Sequence, residues 1–202
     1  MIKAIIFDFG NVIYKFDNDI FIKSISNYTD KKPDKLKKII YTDTNFCHLY
    51  ETGQISSDAF YQEIIKLCQL DISKGDFIKA YTNIFTPIPF IIDLIRRLNS
   101  RYRLALLTNT GEWDYEYIIK TSPVYALFDV VVLSYKVKIK KPNQKIYYIT
   151  LDRLRLEPNE CLYIDDRREF IQASSLMNIK GIQYQTADLL IHNLRNKYNI
   201  KI

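Results

Sequence analysis

The chain has 202 residues, of which 48% are apolar and 26% are charged, and its net charge is +6 at pH 7. These values are typical of a soluble globular protein with one sizeable core, with or without an inserted subdomain. No apolar run reaches the ~20 residues of a membrane span, so we expect no contact with a membrane. The basic balance permits nucleic-acid binding but does not indicate it, because most lysines are spread along the chain.

The cysteines point to a reducing environment. Cys47, Cys68 and Cys161 are far apart, and each lies in an apolar context. An odd number of cysteines, without a visible secretory signal, favours buried and reduced thiols in a cytoplasmic protein. The sequence does not distinguish a monomer from a homodimer.

The first predicted element is a buried strand within residues 4–14. Its apolar run starts near the beginning of the chain and contains a single carboxylate, Asp8. A charged side chain is unfavourable inside such a strand, so we expect Asp8 at the carboxyl end, where ligands bind in open α/β sheets. Gly10 then lets the backbone pass close to whatever Asp8 contacts.

Residues 15–86, called the helical cap below, are predicted to form four short helices and no strand. Ser56 is a plausible N-cap, and Ser73 with Asp76 resembles a capping box. The apolar residues at helical spacing are Phe21, Ile25 and Tyr28, then Leu36, Ile39 and Ile40, then Phe60, Ile64, Leu67 and Cys68, and finally Phe77, Tyr81 and Ile84.

From Pro87 onwards, helices alternate with strands. The apolar runs predict strands at 104–107, 128–133, 161–164 and 181–184. Helices are expected at 91–98, 112–120, 142–153, 170–177 and 190–198. This alternation predicts a parallel sheet built by right-handed crossovers, so residues 1–14 and 87–202 would form one α/β core with the cap inserted in it.

Polar residues follow four of these strands directly or after a short loop. Asp8, Thr108 and the pair Asp165-Asp166 each end a strand, and Lys141 follows the third strand. Taken singly, each of these is more often a turn residue or a helix cap. Together they converge on one edge of the sheet, which favours a functional site.

These residue types suit phosphoryl transfer. Asp8, Asp165 and Asp166 would repel one another and need a cation, and a ligand set of oxygens alone favours Mg²⁺. An aspartate can also act as a nucleophile and form an aspartyl-phosphate. The hydroxyl of Thr108, with nearby backbone N–H groups, can hold phosphoryl oxygens, and Lys141 adds a positive charge.

The order and spacing of these residues resemble the four motifs of the haloacid dehalogenase superfamily. The segments are Asp8-Phe9-Gly10-Asn11-Val12, Leu107-Thr108-Asn109-Thr110, Lys141-Pro142-Asn143 with Ile146-Tyr147, and Ile164-Asp165-Asp166. The segment at 50–56 also resembles a recurrent part of that family's small helical cap. The branch most similar to this chain contains phosphatases of sugar phosphates, including α-glucose 1-phosphate.

The resemblance implies a Rossmann-like core and a Mg²⁺-dependent phosphatase acting on a small phosphorylated metabolite. It assigns the nucleophile to Asp8, with Lys141 beside the phosphoryl group. The implied Mg²⁺ ligands are Asp8, the carbonyl of Gly10, Asp165 and Asp166, with one of the last two bound directly and the other through water. The implied phosphoryl-binding residues are Thr108, Asn109 and Lys141.

Two departures from the family pattern leave alternatives open. Gly10 stands where the family usually has a second aspartate that serves as general acid and base, and Phe170 stands where an asparagine is common. A catalytically weak protein with a binding or regulatory role is therefore one alternative. A 2-haloacid dehalogenase is another, but it needs no Mg²⁺, so the acidic pair speaks against it.

The loop before Lys141 and the missing acid each predict a property of catalysis. Lys136, Lys138 and Lys140 would raise the positive potential near the site, unless the loop is only solvated. Without an acid at position 10, cleavage should depend steeply on the pKa of the leaving group. If another acid replaces it, Asp17 and Asp19 are the first candidates in the sequence.

Overall fold

The structure is a computed structural model that describes residues 1–202. The strands are β1 Ala4–Phe7, β2 Tyr14–Phe16, β3 Phe85–Pro87, β4 Arg103–Thr108, β5 Val130–Leu133, β6 Cys161–Asp165 and β7 Lys180–Gln183. Five of them form one sheet in the order β5-β4-β1-β6-β7, and every neighbouring pair is parallel. The predicted parallel α/β sheet is therefore confirmed.

The helices cover both faces of this sheet and build the cap. They are α1 Asn18–Ile25, α2 Pro33–Tyr41, α3 Phe46–Glu51, α4 Ser57–Cys68, α5 Lys74–Thr82, α6 Pro89–Leu98, α7 Glu112–Asp114, α8 Ser134–Val137, α9 Gln144–Leu154, α10 Arg168–Ser175 and α11 Ala187–His192. α7 and α11 continue as π-helical turns over Tyr115–Ile119 and Asn193–Lys197. No helix combines the length and the apolar character that crossing a lipid bilayer requires.

Strand β1 lies in the middle of the sheet and is buried on both faces. Its side chains alternate, so Ile5 and Phe7 join a cluster of 23 buried apolar residues on one face, whereas Ala4 and Ile6 join a cluster of 16 on the other. Phe7 is in register with Leu106 of β4 and with Ile164 of β6. The residues that follow these three positions therefore emerge together at the carboxyl edge of the sheet.

The helical cap has its own core of 15 buried apolar residues, which includes Trp113 from α7. Tyr50 connects the cap to the sheet domain, because its hydroxyl accepts a hydrogen bond of 2.9 Å from the backbone N–H of Trp113. A side chain at position 111 would place its Cβ only 2.2 Å from the Tyr50 ring, so Gly111 permits this close approach. The cap is thus held over the carboxyl edge by buried contacts.

The prediction for the cap is wrong in two respects. It contains five α-helices, because Phe46–Glu51 forms a further helix, and the antiparallel ribbon of β2 and β3 lies at its base. Three-residue strands are too short to show alternation, and α3 has six residues and no side-chain N-cap. The division at residues 14/15 and 86/87 remains a prediction, and these boundaries fall inside β2 and β3.

Smaller differences concern burial. Tyr28 and Leu67 belong to the apolar residues at helical spacing, but they are 39% and 37% exposed. All three cysteines are free, as expected, yet only Cys68 and Cys161 are fully buried, whereas Cys47 is partly buried. Cys47 lies in α3, the helix that the sequence pattern did not reveal, so its surroundings could not be inferred.

Candidate active site

The structure brings the predicted polar residues together at the carboxyl edge of the sheet. A cavity of about 450 Å³ opens there. Six of the seven predicted site residues line its walls, namely Asp8, Gly10, Thr108, Asn109, Lys141 and Asp166. Asp165, the seventh, lies below the cavity wall and is fully buried.

Asp8 lies in the cavity wall directly after β1. Its backbone N–H donates to the carbonyl of Ile164 at 2.9 Å, which extends the pairing of β1 with β6 by one residue. The residue is 6% exposed, and Nζ of Lys141 lies 2.8 Å from its Oδ1. This contact is an ion pair without the geometry of a hydrogen bond, so Oδ1 has no hydrogen-bond donor.

Lys141 is the buried cation of the site. Its Nζ lies 2.7 Å from Oδ2 of Asp165 and 3.2 Å from the carbonyl oxygen of Leu107. Nζ also lies 4.9 Å from the centre of the Phe170 ring, within the range of a cation–π contact. The phenylalanine that departs from the family pattern therefore packs against the lysine.

Asp165 and Asp166 occupy different environments although they are adjacent. Both oxygens of Asp165 are hydrogen-bonded, because Oδ2 accepts from Lys141 and from the hydroxyl of Tyr163, and Oδ1 accepts from the backbone N–H of Arg167 at 2.8 Å. Asp166 is half-buried, faces the cavity and accepts a hydrogen bond of 3.2 Å from the side chain of Asn11.

The three carboxylates form a compact acidic cluster, in which one oxygen from each lies within 4.8 Å of the others. Burial raises the pKa of Asp8 to about 7; the charge of Lys141 opposes this shift, and that of Asp165 adds to it. Burial and the charge of Asp165 also raise the pKa of Asp166. One ammonium does not balance three carboxylates, so the cluster is suited to a further cation.

The donor set fits a hard divalent cation. Asp8 and Asp166 present carboxylate oxygens to the same cavity, and Oδ1 of Asp8 is buried with no hydrogen-bond donor. No cysteine or histidine lines this cavity. Oxygen ligands of this kind match Mg²⁺.

Thr108 ends β4 and Asn109 follows it, but their side chains make different contacts. The Thr108 hydroxyl has only a 3.5 Å contact with the Asn109 carbonyl, so it is available to a ligand. The Asn109 side chain exchanges two hydrogen bonds with the backbone of Lys141, at 2.8 and 3.1 Å. It therefore joins the loops that follow β4 and β5, which leaves its backbone N–H as the group that could contact a phosphoryl oxygen.

Position 10 is crowded by an aromatic ring from the cap. A Cβ at Gly10 would lie 2.9 Å from the side chain of Phe16, which is on β2. The ring occupies the space that the usual second aspartate would need, so that side chain would fit only if Phe16 moved. Phe16 also lines the cavity and was not predicted, because β2 was not recognised.

The three lysines of the basic loop before Lys141 each make a different contact. Lys140 forms an ion pair of 2.7 Å with Glu51 of the cap and lines the cavity. Lys138 donates to the carbonyl of Gly53, and Lys136 lies 4.1 Å from the centre of the Tyr115 ring. Of the three flanking lysines, only Lys140 is placed to affect a ligand.

Glu51 and Arg167 are further cavity residues that the sequence did not reveal. Glu51 lies within the segment 50–56 that resembles a recurrent part of the cap, but nothing in its local pattern indicates that it faces the sheet. Arg167 follows the acidic pair and is bonded to Glu169 at 2.7 Å. Whether these two side chains line the cavity depends on how the cap packs against the loops at the carboxyl edge of the sheet.

A larger cavity, of about 1200 Å³, lies at the opposite edge of the sheet, against the chain termini. Half of its twelve wall residues are Lys or Arg, and none is a carboxylate. It contains no nucleophile or metal ligand of the predicted set, so the smaller cavity around Asp8 is the candidate active site.

The comparison with family models agrees with this site. Residues 5–183 match the family described as haloacid dehalogenase-like hydrolase, so the match includes all seven predicted site residues. The chain belongs to this hydrolase family. D-ribitol-5-phosphate phosphatase from Bacteroides thetaiotaomicron is 29% identical to this hydrolase over 194 residues, which cover 91% of this chain and 92% of that protein.

Solved structures show the same fold. A haloacid dehalogenase family enzyme from Bacteroides thetaiotaomicron aligns with a TM-score of 0.83 at 20% identity, covering 91% of this chain and 94% of that one. That enzyme has also been crystallised in complex with magnesium and inorganic phosphate, with a TM-score of 0.76, 21% identity, and 92% and 95% covered. A predicted hydrolase of this type from Porphyromonas gingivalis aligns with a TM-score of 0.83 at 20% identity, covering 97% and 98%.

Proposed function

We propose that this hydrolase is a Mg²⁺-dependent phosphatase that acts on a small phosphorylated metabolite through an aspartyl-phosphate on Asp8. The observation that carries the proposal is the acidic cluster around Asp8, with Lys141 as its single buried cation, beside the free hydroxyl of Thr108. Support also comes from the similarity to a D-ribitol-5-phosphate phosphatase and to an enzyme crystallised with magnesium and phosphate.

The metal would be held by Asp8, the carbonyl of Gly10 and Asp166. When bound, Mg²⁺ would neutralise the carboxylates and the charge of the phosphoryl oxygens. Asp165 acts differently, because both its oxygens are already hydrogen-bonded. We assign it to holding Nζ of Lys141 in place, which leaves Asp166 as the direct ligand of the acidic pair.

The chain's own residues then perform two displacements. A carboxylate oxygen of Asp8 attacks phosphorus, and the bond from phosphorus to the leaving oxygen breaks. The phosphoryl oxygens are bound by Thr108, by the backbone N–H of Asn109 and by Lys141 while negative charge is redistributed among these oxygens. Water then attacks the aspartyl-phosphate, which releases inorganic phosphate and regenerates Asp8.

Removal of the metal tests this proposal directly. Turnover of p-nitrophenyl phosphate should fall by about 100-fold or more in EDTA and return with excess Mg²⁺, because several kcal/mol of charge stabilisation would be lost. Released p-nitrophenolate and phosphate would be measured with and without chelator. Full turnover in chelator would contradict the proposal, and chloride release from a 2-haloacid under the same conditions would establish the dehalogenase alternative.

A second prediction separates the lysines of the basic loop. Lys140→Ala should raise KM for anionic substrates about twofold to fivefold at low salt, because it removes a positive charge from the cavity and leaves Glu51 unpaired. The effect should shrink as salt is added.

Lys136→Ala is the matched control, because it changes the same charge in the same loop outside the cavity. Its KM should match that of the unmodified protein. Equal effects of both substitutions would mean that the loop acts through overall charge, and no effect of either would mean that the loop is only solvated.

A further inference from the structure

A second cavity, of about 270 Å³, lies between the cap and the sheet. It adjoins the cavity that contains Asp8, because both include Gly10, Thr108 and Asn109 in their walls. The inference below rests on the proposed function, which places the phosphoryl group beside Asp8 and Thr108. The leaving oxygen and the organic part of the substrate then extend along these shared walls into the second cavity.

Two carboxyl groups line this second cavity, Glu51 and Asp114. Glu51 is neutralised by its ion pair with Lys140 at 2.7 Å. Asp114 has no ion-pair partner; its Oδ2 accepts a hydrogen bond of 3.2 Å from the backbone N–H of Gly111, and the side chain of Thr110 also bonds to its carboxyl. A partly buried carboxyl that faces a cavity without a cation partner remains able to exchange a proton with a ligand.

The groups that face Asp114 from neighbouring elements leave it without a counter-ion. The cap contributes Tyr41, Cys47 and Tyr81 to the cavity, and burial raises the pKa of all three, so they are neutral at neutral pH. Arg167, on the sheet side, is bonded to Glu169 at 2.7 Å. Burial raises the pKa of Asp114 itself to about 7; the bond from Gly111 opposes the shift, and the charge of Glu51 adds to it.

We propose that Asp114 is the proton donor and acceptor that takes the place of the aspartate absent at position 10. When Asp8 attacks phosphorus, the bond to the leaving oxygen breaks and that oxygen receives the proton of the Asp114 carboxyl. The alcohol departs and leaves Asp114 ionised. In the second displacement, Asp114 accepts a proton from the attacking water, so the carboxyl ends the cycle protonated.

The two acids that the sequence suggested do not face this space. Asp17 is exposed and accepts the N-terminal hydrogen bond of α1 from Asp19 at 2.8 Å. Asp19 is paired with Lys37 at 2.5 Å. Neither residue lines either of the two cavities, whereas Asp114 does.

The test compares Asp114→Asn with the unmodified, Mg²⁺-loaded protein in single-turnover measurements. The substrates are p-nitrophenyl phosphate, whose leaving group is stable without a proton, and glycerol 3-phosphate, whose leaving group is not. A positioned acid contributes about 10²–10⁴-fold. The ratio of the glycerol phosphate rate to the p-nitrophenyl phosphate rate should therefore fall by about 100-fold or more in Asp114→Asn.

The pH profile gives a second readout. In the unmodified protein the glycerol phosphate rate should fall as pH rises above about 7, because the acid must carry its proton. In Asp114→Asn this decline should disappear. Asp17→Asn is the matched control, since it makes the same change at an exposed aspartate, and its ratio and profile should be unchanged.

The outcomes separate this inference from the proposed function. If the unmodified protein shows no Mg²⁺-dependent cleavage of p-nitrophenyl phosphate, the proposed function fails first. If it cleaves that ester but not glycerol phosphate, or if Asp114→Asn slows both substrates equally, Asp114 is not the acid. An unchanged melting temperature of Asp114→Asn would show that this variant keeps its fold, so that either result reflects the loss of the carboxyl group.

Discussion

Replacing Asp8 with asparagine should abolish phosphatase turnover while leaving the fold intact. The amide keeps the shape of the side chain but does not attack phosphorus, so the aspartyl-phosphate does not form. We expect a loss of about 10⁴-fold or more in turnover, comparable to the loss of a nucleophile in other enzymes that form covalent intermediates.

The structure also indicates why stability should change little in Asp8→Asn. Asp8 is one of three carboxylates around one ammonium, so its removal relieves repulsion while Lys141 keeps its 2.7 Å contact with Asp165. Turnover with Mg²⁺ and the melting temperature without it would be measured together. Asp188→Asn, at an exposed position in α11, is the matched control, and substantial activity in Asp8→Asn would place the nucleophile elsewhere.

The sheet could be predicted because its strands are short, continuous apolar runs. The runs at residues 104–107 and 161–164 are buried on both faces, and a polar residue marks the end of each run. The ribbon of β2 and β3 could not be predicted in this way. Its pairing of Phe16 with Phe85 joins residues almost seventy positions apart, and neither strand has a pattern of its own.

The carboxyl edge of the site could be predicted for the same reason as the sheet. Asp8 follows β1 directly, and Thr108 and Asp165 are the last residues of β4 and β6, so the parallel topology alone brings them together. The opposite wall of the cavity, which the cap provides, could not be predicted. Phe16 and Glu51 reach the cavity from the cap, and their positions depend on how Tyr50 packs against Trp113, which no local pattern encodes.

The two adjacent aspartates show a further limit of sequence reasoning. Asp165 ends β6 and Asp166 follows it, and the sequence does not say which of them would bind a metal directly. The difference arises from neighbours distant in sequence, since Lys141 bonds to Asp165 while Asn11 bonds to Asp166. Asn109 is similar, because the bonds of its side chain to the backbone of Lys141 join two loops that are distant in sequence.

Lys141 pairs with two buried carboxylates, so its replacement should affect both turnover and stability. It is 1% exposed, and its ammonium lies within 2.8 Å of both Asp8 and Asp165. Burial alone would lower the pKa of this lysine, but the charges of the two aspartates outweigh burial and raise it. The lysine is therefore charged at neutral pH and is the only cation that compensates the buried part of the acidic cluster.

Lys141→Met should lose both turnover and stability. Methionine fills a similar volume but leaves Asp8 and Asp165 buried without a cation, which typically costs about 3–5 kcal/mol of the free energy of unfolding. The loss should be greatest above pH 7 and smaller at pH 5, because burial raises the pKa of Asp8 to about 7, and this carboxyl therefore takes up a proton in the folded state as the pH falls. Thermal unfolding in EDTA across this pH range would measure it.

Addition of Mg²⁺ distinguishes the structural part of this effect from the catalytic part. A divalent cation can compensate the carboxylates, so it should restore much of the melting temperature of Lys141→Met at pH 8, but it would not supply the ammonium that we propose to bind the phosphoryl group. Turnover should therefore stay low in the refolded, metal-loaded variant. Lys145→Met, an exposed position in the first turn of α9, is the control. If Lys141→Met keeps its activity and its stability does not vary with pH, the buried ion pairs of Lys141 do not position Asp8 for attack.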